Sequence, residues 1–217
     1  NKGKLVIETL PLSFLNLFFN ESKNLKGDLT FDLDYDLNKK SFRSIISTKN
    51  ASINDFSVAL NKGGISFFDS SINIDLSLLL NESGNPITFL GTIPLQKNKE
   101  LDLRLRADEK VFDLLENLYG KNFAFNNGDI DLRMKFAGVL DKPEANGYLN
   151  IDNGAFDIFR SSLKDINALF IFDFDRFEIV NFQAKGLKSG NINIKGSLPF
   201  YKAFSEEQSS IEFISNN

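Results

Sequence analysis

The chain has 217 residues, 42% of them apolar, with 25 basic and 29 acidic side chains giving a formal net charge of −4, and it contains neither cysteine nor histidine. These numbers exclude a disulfide framework and thiolate or imidazole metal sites, and they leave any enzyme hypothesis to carboxylates, Ser, Lys and Tyr. The acidic balance, with no basic block, argues against nucleic acid as a partner, and the lack of an apolar run of about 18 residues excludes a membrane-spanning helix from this stretch.

In chain order, residues 3–10 (GKLVIETL) read as a short strand, and residues 11–19 (PLSFLNLFF) as a short helix, apolar nearly all round, with Pro11 in its first turn. Residues 25–37 alternate: Leu29, Phe31, Leu33, Tyr35 and Leu37 fall on one face, and Asp28, Asp32, Asp34 and Asp36 on the other. That is a strand with one dry and one wet face. Shorter strands follow at 42–48, 56–60, 71–78 and 86–93, with turns at 61–64 and 83–85. The third of these carries Ile72, Ile74, Leu76 and Leu78 on one face.

Residues 100–106 alternate again, Leu101, Leu103 and Leu105 against Asp102, Arg104 and Arg106. The best helix is predicted over 108–120, capped by Asp108, striped by Val111, Leu114, Leu115 and Leu118, and ended by Gly120. Residues 128–156 then predict an antiparallel hairpin. Its first strand sets Ile130, Leu132, Met134 and Phe136 against Asp129, Asp131, Arg133 and Lys135; its second sets Gly147, Leu149 and Ile151 against Tyr148, Asn150 and Asp152. Gly138 to Pro143 supply the turn. Strands at 166–174 and 177–184, joined at Asp175-Arg176, lead through a turn at 186–190 to a last one at 191–198.

The halves repeat each other. Gly27-Asp28 recurs as Gly128-Asp129, and Gly91 with Ile93-Pro94-Leu95 recurs as Gly196 with Leu198-Pro199-Phe200. Strand, greasy helix, long alternating strand and shorter strands come in the same order. The expected organisation is one unit at 1–95, a second at 96–200, and the start of a third at 201–217, so that the chain is a piece of a longer stack whose units cover one another's edges.

No constellation of reactive groups stands out. Asp32, Asp34, Asp36 and Asn38 imitate the start of a calcium loop, but Leu37 and Arg43 stand where Gly and a bidentate Glu are required. Asp173, Asp175, Asn150 and Asp152 are accounted for as outward strand positions. The glycines form neither a dinucleotide nor a phosphate-loop pattern. No catalytic residues, cofactor or metal are expected, and the chain is read as not an enzyme. What needs an explanation is the apolar surface, with 23 Phe beside no Trp and one Met. One explanation is a β-sandwich core, as in a binding module for glycans, although the lack of Trp and scarcity of Tyr count against sugar platforms. The other is an open sheet whose dry face lines a groove, because two short helices cannot cover so many strands.

Residues 136–156 (FAGVLDKPEANGYLNIDNGAF) followed by 172–200 (FDFDRFEIVNFQAKGLKSGNINIKGSLPF) resemble the C-terminal region of the TamB family, within the AsmA-like group of bridge-type lipid transfer proteins. The likeness lies in the turn glycines and Pro143 set on alternating strands. It covers residues 100–200 well and 25–95 more loosely, since the proline and second hairpin glycine are missing around Ser41 to Ala51.

The resemblance implies an elongated, open antiparallel β-taco, all-β with short helices, whose groove carries phospholipid acyl chains between the inner and outer membranes. It also implies a periplasmic location in the cell envelope, an inner-membrane anchor through an N-terminal segment outside this sequence, and an outer-membrane barrel of the Omp85 type as partner. The residues expected to line the groove are Leu29, Phe31, Leu33, Ile72, Ile74, Leu76, Leu101, Leu103, Ile130, Leu132, Met134, Phe136, Phe170, Phe172, Ile192 and Ile194. The alternative is a scaffold whose strand edges assist the assembly or translocation of outer-membrane β-proteins.

Overall fold

The structure is a computed structural model. It describes residues 1–18, 24–54, 56–81, 83–119, 123–158, 161–174, 176–186, 190–199 and 209–216. The fold class is all-β with short helices. The chain divides into two compact units, Asn1–Leu105 with Gly138–Lys142, and Arg106–Ala137 with Pro143–Asn217.

The first unit holds β1 (Lys2–Pro11), a 3-10 helix (Leu12–Phe18), β2 (Leu25–Asp36), β3 (Ser41–Ile53), β4 (Phe56–Phe68), β5 (Ser71–Leu80), β6 (Ser83–Pro94) and the start of β7 (Asp102–Asp108). The second holds the end of β7, α1 (Lys110–Tyr119), β8 (Phe123–Val139, its last residues counted with the first unit), β9 (Lys142–Ile158), β10 (Ser161–Phe174), β11 (Arg176–Gly186), β12 (Asn191–Pro199) and β13 (Ser210–Asn216). In each unit the strand order follows the chain order, and consecutive strands pair antiparallel. Among the described residues each unit therefore has one sheet, where a sandwich requires two facing each other.

The element order recurs: strand, helix, five-strand meander, next strand. Of the glycines matched in sequence, Gly91 and Gly196 occupy matching places. A Cβ on Gly91, whose φ is 145°, would collide with the carbonyl oxygen of Asp102 in β7, and one on Gly196 would collide with that of Ser210 in β13. Each glycine lets the last strand of a meander approach the strand that follows.

Several boundaries differ from the sequence reading. The expected turn at 61–64 is strand, because β4 runs through it with a bulge between Leu60 and Lys62. Gly63 is needed there for close approach, since a Cβ would collide with the carbonyl oxygen of Ile46. The reversal comes later, at Asp69 and Ser70, whose φ values of 48° and 56° are those of a two-residue type I′ turn. Residues 83–85 likewise belong to β6; Leu80 pairs with Ser83, and Asn81 takes φ 50° at the reversal before them. β3 extends well beyond 42–48. The β8–β9 reversal is confined to Leu140 and Asp141. Between β10 and β11 Arg176, expected in the turn, already pairs with Asp173 as the first residue of β11, and Phe174 takes φ 57° at the reversal.

The first helix is a 3-10 helix that starts after Pro11. Asp108 caps α1 as expected, its carboxylate accepting the Lys110 N–H at 3.1 Å. Gly120, the side chain of Leu118 and residues 201–208 lie outside the described residues. Leu37, expected to point inward, is 62% exposed in the β2–β3 turn. Asp36 holds that turn by accepting the backbone N–H groups of Asn38 and Lys39.

Candidate functional site: the apolar face of each unit

Register decides which side chains share a face, because directly paired residues point the same way. In the first unit Phe31 pairs with Ile7 and Ile46, and Leu33 with Leu5 and Ser44. Ser44 pairs with Ile65 and Phe42 with Phe67; Ile65 pairs with Ile74, and Phe67 with Ile72. Ile72, Ile74 and Leu76 pair in turn with Ile93, Gly91 and Phe89. One apolar face thus runs over six strands, about 24 Å at five strand spacings of about 4.8 Å.

Two polar residues interrupt it, and both turn their hydroxyls into the backbone. The Ser44 hydroxyl, buried, donates to the Ile65 carbonyl at 2.9 Å, and the Thr48 hydroxyl accepts the Leu60 N–H at 2.9 Å. Each hydroxyl is thereby bonded to the backbone rather than presented to the face alone. Thr48 does a second job, since the β3–β4 ladder is interrupted after Ile45 and Gly64, and its hydroxyl takes up an N–H there.

One end of this face is closed and the other open. At the closed end Leu12 of the 3-10 helix joins Leu25, Leu29 and Ala51 in a buried cluster, with Leu10, Phe31, Ile46 and Ile53 packed around it. At the other end a cavity of about 450 Å³ opens among Leu33, Tyr35, Leu37, Phe42 and Phe67, with Asp36, Lys40 and Ser41 at its margin. Phe42 and Phe67 stack there at 6.0 Å between ring centres.

The second unit is built the same way. Phe172, Phe170 and Ala168 of β10 pair with Gly147, Leu149 and Ile151 of β9 on one side, and with Phe177, Ile179 and Phe182 of β11 on the other. Phe177, Ile179, Phe182 and Ala184 pair with Leu198, Gly196, Ile194 and Ile192 of β12. The rings of Phe170 and Phe177 stack at 5.6 Å, and those of Phe172 and Phe177 meet at 5.3 Å. Helix α1 closes one end: Phe112 lies 5.3–5.8 Å from the rings of Phe123, Phe125 and Phe156, over a core of Ile130, Ile151, Phe156, Ile166, Ala168 and Ala184. The Glu116 carboxylate secures the helix by accepting the Phe125 N–H at 3.1 Å.

The opposite faces are wet and charged. Lys4 reaches Asp32 at 2.7 Å and Lys2 reaches Asp36 at 3.8 Å, so two of the acids that imitate a calcium loop are paired with lysines. The Asp32 hydrogen bond raises the Lys4 pKa. In the second unit Tyr148 donates to Asp131 at 2.7 Å and Arg133 pairs with it at 3.1 Å. Partial burial pulls the Asp131 pKa up, but the Tyr148 hydroxyl and the Arg133 guanidinium outweigh it and hold the carboxyl below its usual value. Among the described residues no group of three or more acidic side chains is arranged to hold a metal ion, and no helix is long and apolar enough to cross a membrane.

Of the sixteen residues expected to line a groove, register places Leu29, Phe31, Leu33, Ile72, Ile74 and Leu76 on the shared face of the first unit, and Phe170, Phe172, Ile192 and Ile194 on that of the second. Leu132, Met134 and Phe136 are half-buried along β8. Leu29, Leu101, Leu103 and Ile130 are buried, and Leu29 and Ile130 belong to the packed clusters at the closed ends. Sequence reasoning leaves Phe42, Ile65, Phe67, Phe89 and Phe177 out of the lining and Phe112 out of the helix stripe. Taking 61–64 as a turn hides the alternation that sets Ile65 and Phe67 on one face of β4. Phe112, three residues before Leu115, has the spacing that marks a buried helix position.

In comparisons with known proteins, no family model matches the chain, and neither curated proteins nor solved structures give a match.

Proposed function

We propose that the dry faces carry phospholipid acyl chains, as a segment of a TamB-like protein that passes lipid between the inner and outer membranes of an envelope. The observation that carries this reading is the six-strand apolar face of the first unit, opposed among the described residues by no second sheet within that unit, with the hydroxyls of Ser44 and Thr48 each bonded to the backbone. A β-sheet of this kind leaves Phe, Leu and Ile side chains half covered, and each fully covered one is worth about 1.5–3 kcal/mol, so an apolar guest is favoured there.

The mechanism is passive. An acyl chain gains about 0.8 kcal/mol per methylene on leaving water and almost nothing on leaving a bilayer, so an apolar track conducts without tight binding. A charge on the track costs several kcal/mol unless paired and puts a hydrated obstacle in the chain's path. The periplasmic setting, the membrane anchor and the Omp85-type partner rest on the resemblance in residues 136–156 and 172–200.

Native mass spectrometry of the purified chain tests the reading. Phospholipid should co-purify with the wild type and with Lys135→Glu or Asp129→Lys, and be lost from Leu132→Asp and Phe136→Glu. A folded Leu132→Asp protein that carries lipid like the wild type would sink the conduit reading in favour of edge-mediated assembly.

A further inference from the structure

In an antiparallel meander every second turn lies on the same edge of the sheet. In the first unit one such edge gathers the start of β1, the β2–β3 and β4–β5 turns, the segment after β6, and the β8–β9 tip at 138–142. Backbone hydrogen bonds link neighbours along it: Leu37 N–H to Asn1, Leu95 N–H to Ser70, and Leu101 N–H to Gly138, at 2.7–2.9 Å. All but the start of β1 carry one large apolar residue in solvent, Leu37 at 62%, Phe68 at 59%, Leu95 at 52% and Leu140 at 49% exposed. Turns two strands apart stand about 10 Å from one another, so these residues form a row rather than scattered exceptions.

Exposed lysines accompany the row: Lys39 and Lys40 beside Leu37, Lys97 and Lys99 beyond Leu95, Lys142 beside Leu140, and Lys2 at the start of β1. The acids on the same edge are Asp36, Asp69, Glu100 and Asp141. Asp36 is engaged by Lys2 and the turn N–H groups, and Asp69 by Lys99 at 3.5 Å. The opposite edge of the same unit is made differently. Its turns use Asn54 and Asn81, both at φ 50°, whose side chains accept the N–H groups of Asn24 and Ser57 at 3.1 Å.

We propose that this edge of the first unit docks on an anionic lipid bilayer, with Leu37, Phe68, Leu95 and Leu140 inserted at the headgroup boundary and the flanking lysines against lipid phosphates. Aliphatic and aromatic tips among lysines match both layers of such a surface, the acyl boundary and the negative headgroups. The inference does not depend on the conduit reading, since an edge can lie on a bilayer whether or not acyl chains enter the dry face.

Flotation of the full chain with vesicles of phosphatidylcholine, alone or mixed with phosphatidylglycerol, tests it. The wild type should float with the mixed vesicles, not with phosphatidylcholine alone, and lose binding as salt is raised. The quadruple variant Leu37→Ser, Phe68→Ser, Leu95→Ser, Leu140→Ser and the triple variant Lys39→Glu, Lys40→Glu, Lys97→Glu should each weaken binding about tenfold or more. Ile45→Ser, at a residue equally exposed but on the wet face, should leave it unchanged. All these positions are exposed, and circular dichroism checks that each variant is folded.

No flotation of the wild type with mixed vesicles at low salt would overturn the proposal, as would flotation that neither multiple variant weakens. So would dimers in light scattering that the quadruple variant abolishes without any vesicle binding, which would make the edge an interface between copies. A chain that floats but carries no co-purifying lipid would keep this inference and remove the conduit; one that carries lipid but does not float would do the reverse.

Discussion

The two units close the same end of the same kind of sheet with different materials. The first uses a 3-10 helix and aliphatic side chains, with Leu12 set on Leu25, Leu29 and Ala51. The second uses an α-helix and an aromatic cluster, with Phe112 set on Phe123, Phe125 and Phe156. Element order and the Gly91 and Gly196 contacts with the following strand are kept while the plug changes. The difference teaches that what this architecture keeps between its halves is strand pairing and the path of the backbone, whereas the plug need only be apolar and fill its space. Aromatic rings bury more surface and add ring–ring geometry, so the second plug is expected to hold more tightly.

Truncating the plugs is the strongest way to break that comparison. Phe156→Ala, at a residue 4% exposed and in contact with three other rings, should destabilise the second unit by about 3–5 kcal/mol, seen as lost hydrogen-exchange protection over β8 to β10. Leu12→Ala, at a residue 5% exposed, should cost the first unit about 2–4 kcal/mol, with the loss centred on β2 and β3. An equal or larger loss from Leu12→Ala would contradict the ranking of the two plugs.

The glycine contacts sharpen the other half of the comparison. Gly91→Val and Gly196→Val should each cost about 1–3 kcal/mol by forcing backbones apart. The effects should be local and parallel: faster exchange across β6 and β7 in the one, across β12 and β13 in the other. Substitutions that left both ladders protected would mean that the matched glycines share sequence context only.

The smallest effect concerns a device with its tyrosine in the second unit. Tyr148→Phe removes the hydroxyl that helps to hold the Asp131 carboxyl below its usual 3.8. A depressed pKa in the folded state contributes stability that is present above the usual value and is lost as pH falls through the depressed one. The variant should therefore melt slightly below the wild type at pH 7, and the gap should close as the pH is lowered below about 3.8. A gap of constant size down to acid pH would assign the effect to packing alone.

Much of the fold was legible because strand alternation is a direct record of one dry and one wet face. Residues 29–35, 72–78 and 130–136 declared their faces without ambiguity. What misled was glycine, which serves turns and close approaches alike: Gly63 and Gly64 read as a turn, yet Gly63 is there because β3 comes too near for a Cβ. The true reversal at Asp69 and Ser70 carries no glycine, and Phe174, which has no turn propensity of its own, takes φ 57° beside the aspartates that mark its reversal in the sequence. Of the candidate site, the direction of each stripe was readable, but its width was not, since which stripes lie beside one another is decided by register and bulges between strands far apart in sequence.

The central claim is that the dry face, and not the wet one, meets acyl chains. Photo-crosslinking from adjacent residues of one strand tests it most directly, with the same benzophenone side chain placed at Ile74 on the dry face or at Asn73 beside it on the wet face. Irradiation of the chain in cells should link phospholipid to the group at position 74 and not to that at 73. Equal linking from both positions, or linking from 73 alone, would contradict the account.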